Sequence, residues 1–355
     1  MAVTIRDVAK RAGVSVATVS RALNQSGPVR EDTRQRIETA ARALEYRPNN
    51  AARSLITRRT RMMGVLLPDL HGEFFSELIR GIDQAAQAEG YHLLLSSSHD
   101  DSTELEAALQ GMHGRVDGLV VMAPTVEAAV LKDLLPRNVP IVLLNTSDRD
   151  LPWSSLRIDS YGGARAIVTH LIDHGHRRIG MIEGPSGNID ASERLRGYRA
   201  ALKEAGLETD PGVEVAGAFT GSSGYRGAQA LLGLEERPTA IFAANDAMAI
   251  GALSALRAAD VAVPEEMALV GFDDVSSTQY MIPSLSSVHG QITDLGAQAV
   301  VRLAEEVAGR AVPASPQKTI PATLVLRRSC GCGPGDRERA EWERKREVHS
   351  KKEVV

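Results

Sequence analysis

Val16, Ala17, Ser20 and Arg21 stand at the spacing that gathers small and basic side chains on one face of a short helix. Such a face suits the major groove of duplex DNA. Small residues let a helix approach base edges, apolar groups can touch thymine methyls, and an arginine can take guanine with two hydrogen bonds. No acid lies between Ser15 and Asn24, so nothing in that stretch repels phosphate. A helical hairpin in a small bundle is the plainer reading of the same residues.

A second set of polar residues falls at the ends of apolar runs further along the chain. It comprises Phe74 and Phe75, Asn145 and Thr146, Asn188, Asp190 and Arg194, Phe219, Asn245 and Asp246, and Asp273 and Asp274. Carboxylates, amides and one arginine around aromatic faces suit a polyhydroxylated ligand, because buried polar groups discriminate hydroxyls better than an apolar pocket does. The same residues admit structural readings. Asn245 and Asp246 are good helix caps, Asp273 can begin a turn, one of the two phenylalanines can be core, and Arg194 can pair with Glu193 or Asp190 on a helix surface.

Other groupings carry less. His170, His174 and His176 look like a metal cluster at helical spacing, yet His174 to Arg178 reads as a helix end before a strand. Cys330 and Cys332 alone are too little for a zinc site, so the expectation is two reduced thiols, no metal and no cofactor. Gly217 to Gly224 lacks the phosphate-cradling patterns. No nucleophile and base fall in a matching motif, so the chain is read as a non-enzyme; a solute-binding protein or a cleft-closing enzyme acting on a sugar-like ligand is the alternative.

The elements that must position these residues can be read locally. Thr4 caps a first helix with Asp7 completing a capping box and Val3 and Val8 as a staple. Ile5, Val8, Ala9 and Ala12 form one buried stripe. Gly13 supplies a left-handed turn, and Ser15 caps a second helix on which Val19, Ala22 and Leu23 face inward. A third helix is predicted over 31–44, with Thr33, Ile37, Ala40, Ala41 and Leu44 on one face. Pro48 then ends the bundle, and Asn49 or Asn50 caps a short piece, Ala51 to Leu55, too short to be stable alone in water. Residues 1–60 hold twelve Lys and Arg against five Asp and Glu, a net of +7, whereas the whole chain of 355 residues is −4. A basic head on an acidic body points to a local polyanion site.

From Met62 onward, short apolar strands alternate with helical patterns near 74–88, 103–111, 162–174, 191–205, 223–233 and 246–258. Strands apolar on both faces belong to parallel sheets covered on both sides. The fold class expected is therefore α/β: an all-α helix-turn-helix headpiece and hinge helix, then two doubly wound parallel-sheet lobes with a cleft at their strand ends. No apolar run approaches about 20 residues and no apolar signal region opens the chain, so neither membrane insertion nor secretion is expected, and a cytoplasmic, nucleoid-associated protein is.

Ile5-Arg-Asp-Val-Ala, Gly13-Val-Ser-Val-Ala-Thr-Val-Ser-Arg-Ala-Leu-Asn24 and Tyr46-Arg-Pro-Asn-Asn-Ala-Ala-Arg-Ser-Leu55 strongly resemble the lactose/galactose repressor (LacI/GalR) family. The resemblance continues to about Ser329. It implies a headpiece over 1–48, a hinge over 49–60 and an effector-binding, dimerising body over 61–329 of periplasmic-binding-protein type. The lobes would be 61–157 plus 290–320 and 158–289 plus 321–329, with a charged, disordered tail over 330–355. It implies DNA contacts from Thr4, Ser15, Val16, Ala17, Thr18, Ser20, Arg21, Asn24, Asn49, Ala52, Arg53 and Leu55, with Leu55 wedged into the central CG step of a pseudo-palindromic operator. Inserted apolar side chains of that kind unstack bases and bend DNA. It implies an effector site, for a sugar most often, lined by Phe74, Asn188, Asp190, Arg194, Phe219, Asn245, Asp246 and Asp273. Arg30 departs from the pattern, standing where the family has a serine cap. The leucine repeat that tetramerises some members is absent, so a homodimer is expected, released from DNA by its ligand.

Overall fold

The computed structural model describes residues 3–24, 27–46, 59–146, 151–310 and 317–332. The hinge positions Asn49, Ala52, Arg53 and Leu55, and residues 333–355 of the expected tail, lie outside them. The chain divides into two compact units, Met1–Thr60 and Arg61–Val355.

The first unit is a three-helix bundle: α1 Ile5–Ala12, α2 Val16–Asn24 and α3 Glu31–Ala43. Of the residues predicted to face inward, Val8, Ala9, Ala12, Val19, Ala22, Ile37, Ala40 and Ala41 are buried, while Ile5, Leu23, Thr33 and Leu44 are only half-buried at its margin. Gly13 takes φ +64 and closes α1, with the Val14 amide returning to the Ala9 carbonyl at 3.1 Å. That left-handed turn is what reverses the chain so that α2 can cross α1.

The second unit holds two parallel sheets. The first runs β11-β5-β4-β3-β1-β2, with β1 Met62–Leu67, β2 His92–Ser97, β3 Gly118–Met122, β4 Ile141–Leu144, β5 Ser154–Ile158 and β11 Gln317–Ile320. The second runs β7-β6-β8-β9, with β6 Ile179–Ile182, β7 Glu214–Val215, β8 Ala240–Ala243 and β9 Ala268–Val270. All their pairings are parallel. An antiparallel pair, β10 Ser287–His289 with β12 Thr323–Val325, lies beside the second sheet through bridges at Val270–Ser286 and Asp273–His289.

Helices α4 Glu73–Ala88, α5 Ser102–Met112, α6 Ala128–Leu134 and α11 Ile292–Val307 belong to the first sheet. Helices α7 Ser160–Asp173, α8 Ile189–Glu204, α9 Gly221–Leu232 and α10 Asp246–Ala258 belong to the second. The chain passes between lobes after β5, after β10 and after β11. Central strands β1, β3, β4, β6 and β8 are almost wholly buried, as continuous apolar runs require, and so is β9, whose outer edge is covered by the segment leading into β10, whereas edge strand β2 is not. Helices α4 and α11 approach so closely that a Cβ on Gly81 would lie 2.0 Å from the Thr293 carbonyl oxygen.

The structure departs from the sequence expectation in three places. The segment Ser154–Ile158 is strand β5, although Ser155 and Arg157 on its less buried face break the continuous apolar run that marks the other strands. The helix over Ile292–Val307, with Ile292, Leu295, Ala299, Val300 and Leu303 on its buried face, lies outside the expected helices although its amphipathic spacing is regular, and the unexpected strands β7, β10, β11 and β12 are only two to four residues long. Cys330 and Cys332, assigned to a frayed tail, are buried at 2% and 8% exposure and belong to the core of the second lobe.

Candidate functional site

The DNA-reading candidates lie on α2 and its flanks. Thr4, Ser15, Val16, Ala17, Arg21 and Asn24 are exposed, while Thr18 and Ser20 are half-buried. Ser15 caps α2, accepting the Thr18 amide at 3.2 Å, and the Ser15 and Thr18 hydroxyls meet at 2.8 Å. Arg21 Nε donates to the Ala17 carbonyl at 3.4 Å and Asn24 Nδ2 to Ser20 Oγ at 3.3 Å. These bonds run within one helix and its cap, so they steady the side chains without committing them to the core. At the start of α1 the Thr4 amide and hydroxyl donate to the Asp7 carboxylate at 2.9 and 2.7 Å. Those hydrogen bonds hold the Asp7 carboxyl below its ordinary range.

Two of the arginines behind the net positive charge do a different job. Arg36 Nη2 donates to the Ala12 carbonyl at 2.5 Å, and Arg34 Nη1 to the Ala22 carbonyl at 3.3 Å. Each satisfies a carbonyl near the C-terminal end of a neighbouring helix, where the intrahelical partners run out. Arg30 precedes α3 and makes no side-chain cap; Glu31 and Asp32 in the first turn place negative charge at the helix's positive end instead.

In the second unit, Asp190, Arg194 and Asp273 form one buried cluster, 8%, 3% and 4% exposed. Asp190 and Arg194 come from the first two turns of α8, and Asp273 follows β9 with φ +110. Arg194 Nη2 reaches Asp273 Oδ1 at 3.1 Å and Nη1 the Ala244 carbonyl at 2.5 Å. Its guanidinium lies 3.7 Å from the centre of the Phe272 ring and 5.6 Å from that of Phe219, two cation–π contacts in a dry setting. The buried Arg194 Nε has no hydrogen-bond partner among the described residues.

Asp190 accepts Asn145 Nδ2 at 2.9 Å and Ser160 Oγ at 3.0 Å, so the end of β4 in one lobe is tied to α8 in the other. Beside it a small recess is lined by Asn145, Thr146, Ser160, Asp190 and Glu193. Burial raises the Asp190 carboxyl above its ordinary range, against the attraction of Arg194 and the two hydrogen bonds. Burial also pushes Asp273 up to about 7, with Arg194 opposing it and Asp190 adding to it. Two carboxyls therefore face one guanidinium.

The remaining predicted residues are already engaged by the protein. Asn188 caps α8 through the Ala191 amide at 3.1 Å. Asn245 caps α10 through the Met248 amide at 3.0 Å, and its Nδ2 donates to the Phe219 carbonyl at 3.2 Å. Asp246 is fully buried, its two oxygens accepting Ser287 Oγ at 2.6 Å and the Val275 amide at 2.9 Å. Burial first, then the neighbouring Asp273 charge, raises its carboxyl well above the ordinary range. Asp246 is thus the strut that holds the loop after Asp273. Phe74 meets Phe75 edge-on, ring centres 5.2 Å apart, and both pack partly on the core. Asp274 pairs with Arg327 at 2.7 Å and with His289.

Sequence reasoning missed a second bridge between lobes, beside the Asn145–Asp190 tie. Glu77 accepts the Ser276 amide at 3.0 Å and its hydroxyl at 2.6 Å, and Glu73 accepts the Ser277 amide at 3.0 Å. Glu73 and Glu77 share one face of α4, and that spacing was the sole signal; their partners lie about two hundred residues away. The glycines of 217–224 serve packing: a Cβ on Gly224 would lie 2.0 Å from the Met248 carbonyl oxygen, where α9 meets α10.

Residues 4–49 match the family described as bacterial regulatory proteins, lacI family, and residues 168–330 match a periplasmic binding protein-like domain. The chain is 34% identical over 334 residues to the HTH-type transcriptional repressor PurR of Klebsiella pneumoniae (strain 342), covering 93% of this chain and 98% of that protein. It is 36% identical over 300 residues to the ribose operon repressor of Escherichia coli (strain K12), covering 84% and 91%. The fold matches the crystal structure of the lac repressor dimer bound to operator and the anti-inducer ONPF, with a TM-score of 0.85 and 29% identity over 93% of this chain and 99% of that one. The complex of the transcriptional regulator CelR with cellobiose matches at a TM-score of 0.68 and 31% identity, covering 92% and 99%.

Proposed function

This chain belongs to the LacI family of bacterial regulatory proteins and is a DNA-binding transcriptional repressor, and we propose that it acts as a cytoplasmic homodimer whose operator affinity is set by a sugar held between its two lobes. The observation that carries the effector reading is the buried Asp190–Arg194–Asp273 cluster under the Phe219 and Phe272 rings. With one carboxyl near its midpoint at neutrality, the cluster can both accept from and donate to ligand hydroxyls. The ribose and cellobiose in the names of two similar proteins support a carbohydrate over other polar ligands.

Two headpieces read successive major-groove half-sites. Val16, Ala17 and Arg21 meet base edges, while Thr4, Ser15, Thr18, Ser20, Asn24 and Arg53 fix register on phosphates. Asn49, Ala52 and Leu55 enter the minor groove at a central CG step, and Leu55→Ala abolishes operator preference while leaving weak non-specific binding. The ligand closes the lobes, favours the state with the hinge helix undone and releases DNA; it does so only by its unequal affinity for the two states.

The test has two parts. Binding to a palindromic duplex with a central CG step should fall steeply with added salt, as phosphate neutralisation requires. A thermal-shift screen of pentoses, hexoses, disaccharides and nucleosides should find a carbohydrate that raises the melting temperature, since a ligand of the folded form stabilises it. Stabilisation by nucleosides alone would overturn the sugar assignment.

A further inference from the structure

Sequence spacing separates the histidines at the end of α7 from the cysteines near the last described residue, and the fold brings them together. Cys332 Sγ lies 3.1 Å from His170 Nε2 and 3.6 Å from His174 Nε2, and 2.9 Å from Cys330 Sγ. The donor atoms of His170, Cys330 and Cys332 all fall within 4.8 Å of one another. A sulfur–sulfur distance of 2.9 Å is well beyond a disulfide bond, so both groups are thiols.

Each part of this arrangement has a local cause. His170 and His174 are four residues apart, so both rings leave the same face of α7. Gly331 between the cysteines takes φ +86, a left-handed turn in the short connection between the two sulfurs. His174 Nδ1 is 3.0 Å from the His170 carbonyl oxygen. A carbonyl can only accept, so this nitrogen carries the proton and Nε2 presents its lone pair towards Cys332. That is the outer hydrogen bond metal-binding imidazoles characteristically make. Ser286 Oγ stands 3.0 Å from Cys330 Sγ as donor, and Cys330 Sγ is 3.6 Å from the Arg327 carbonyl.

We propose that His170, His174, Cys330 and Cys332 form a structural Cys2His2 zinc site that fastens the last turn of the described chain to the C-terminal end of α7. Two thiolates and two imidazoles, with no carboxylate in the set, select zinc over calcium or magnesium. Tetrahedral Zn–S and Zn–N bonds place neighbouring donors roughly 3.3–3.8 Å apart. The His174–Cys332 separation already matches that range; to admit the ion the thiols part by just under about 1 Å, His170 draws back slightly from Cys332, and the exposed His174 ring, outside the 4.8 Å group, turns inward, the thiols losing their protons to solvent as they bind. Cys330 and Cys332 are buried while His174 is exposed, which leaves an entry path on the solvent side. Linking His170 to Cys332 closes a loop of more than 160 residues that includes most of the second lobe, the situation in which a metal clip restricts the unfolded chain most.

The test uses the full chain, purified without chelator and kept reduced. Metal analysis should find about one zinc per chain. Replacement by Co2+ should give the intense visible bands of a tetrahedral ion and a sulfur-to-cobalt charge-transfer band, both saturating at one equivalent. Cys332→Ser should remove the charge-transfer intensity from that sulfur, and His174→Ala should weaken metal affinity at least tenfold. The parent's Co2+ spectrum needs no variant to fold, so it decides the matter alone. Absence of those bands in the reduced parent would overturn the site, as would a mass two daltons low that marks a Cys330–Cys332 disulfide in protein handled without oxidant.

Discussion

The headpiece and the body use their polar side chains in opposite ways. On α2 the residues expected to meet DNA are mostly exposed and, among the described residues, bonded within their own helix or its cap. In the body, Asn188, Asn245 and Asp246 are buried and already bonded to the protein, and Asp190 and Asp273 share the single cation Arg194 out of water. An exposed reader can be replaced without disturbing the fold. A buried candidate for the proposed effector site is also a cap, a strut or a counter-ion, so on that proposal ligand response and stability are coupled there.

Arg194→Ala should break the body most severely. It leaves two buried carboxyls without their cation, a loss of about 3–5 kcal/mol in urea unfolding. The loss should be larger at pH 8 than at pH 5, where Asp273, its carboxyl raised to about 7, remains protonated. A change under about 0.5 kcal/mol, the ordinary result at a surface position, would erase the contrast between the two regions.

Within the headpiece, Arg36 and Arg21 sharpen the same contrast. Arg36→Ala removes a charge-assisted bond to the Ala12 carbonyl and should cost about 1.5–3 kcal/mol of headpiece stability, lowering affinity for every DNA alike. Arg21→Ala should leave melting unchanged and cost about 1–3 kcal/mol of discrimination at one operator position. Paired melting and competition binding on operator and scrambled duplexes separate the two outcomes.

Acidity distinguishes the regions next. Asp273 has its carboxyl raised to about 7, so the folded form binds an extra proton between the unfolded value near 4 and that point. Stability therefore falls as pH rises through this window, with a slope of up to about 1.4 kcal/mol per pH unit. Asp190 and Asp246, also raised, add to the same sign. Asp273→Asn should flatten the slope, read from urea midpoints between pH 4 and 8. Asp7 in the headpiece is lowered instead, so its contribution is present at neutrality and fades in acid.

The smallest effect is expected at the bridge between lobes. Glu77→Ala removes two hydrogen bonds to Ser276 and should weaken effector binding about fivefold, roughly 1 kcal/mol, while ligand-free DNA affinity stays unchanged. Calorimetry and operator titration on the same preparation check both halves.

Much of this was legible in the sequence because it is local. The α1–Gly13–α2 turn, the Ser15 cap and the buried stripe through Val8, Ala12 and Val19 depend on neighbours a few residues away. The strand ends carrying Asn145, Asp190, Asn245 and Asp273 were legible because apolar runs mark their strands. What could not be read was long-range: the Glu77–Ser276 bridge, the capture of Asp246 by Ser287 and Val275, and the meeting of His170 with Cys332. Arg34 and Arg36 count as positive charge in any composition, and only the bundle's geometry shows that their heads cap carbonyls.

Operator binding followed by fluorescence anisotropy, with and without the sugar found by thermal shift, tests the coupling between the two regions most directly. The parent should lose at least tenfold in operator affinity when the sugar saturates it, while Asp273→Ala, still folded and still DNA-binding, should show no response. Identical responses in the two proteins, or a parent whose DNA affinity ignores a sugar that stabilises it, would contradict the account.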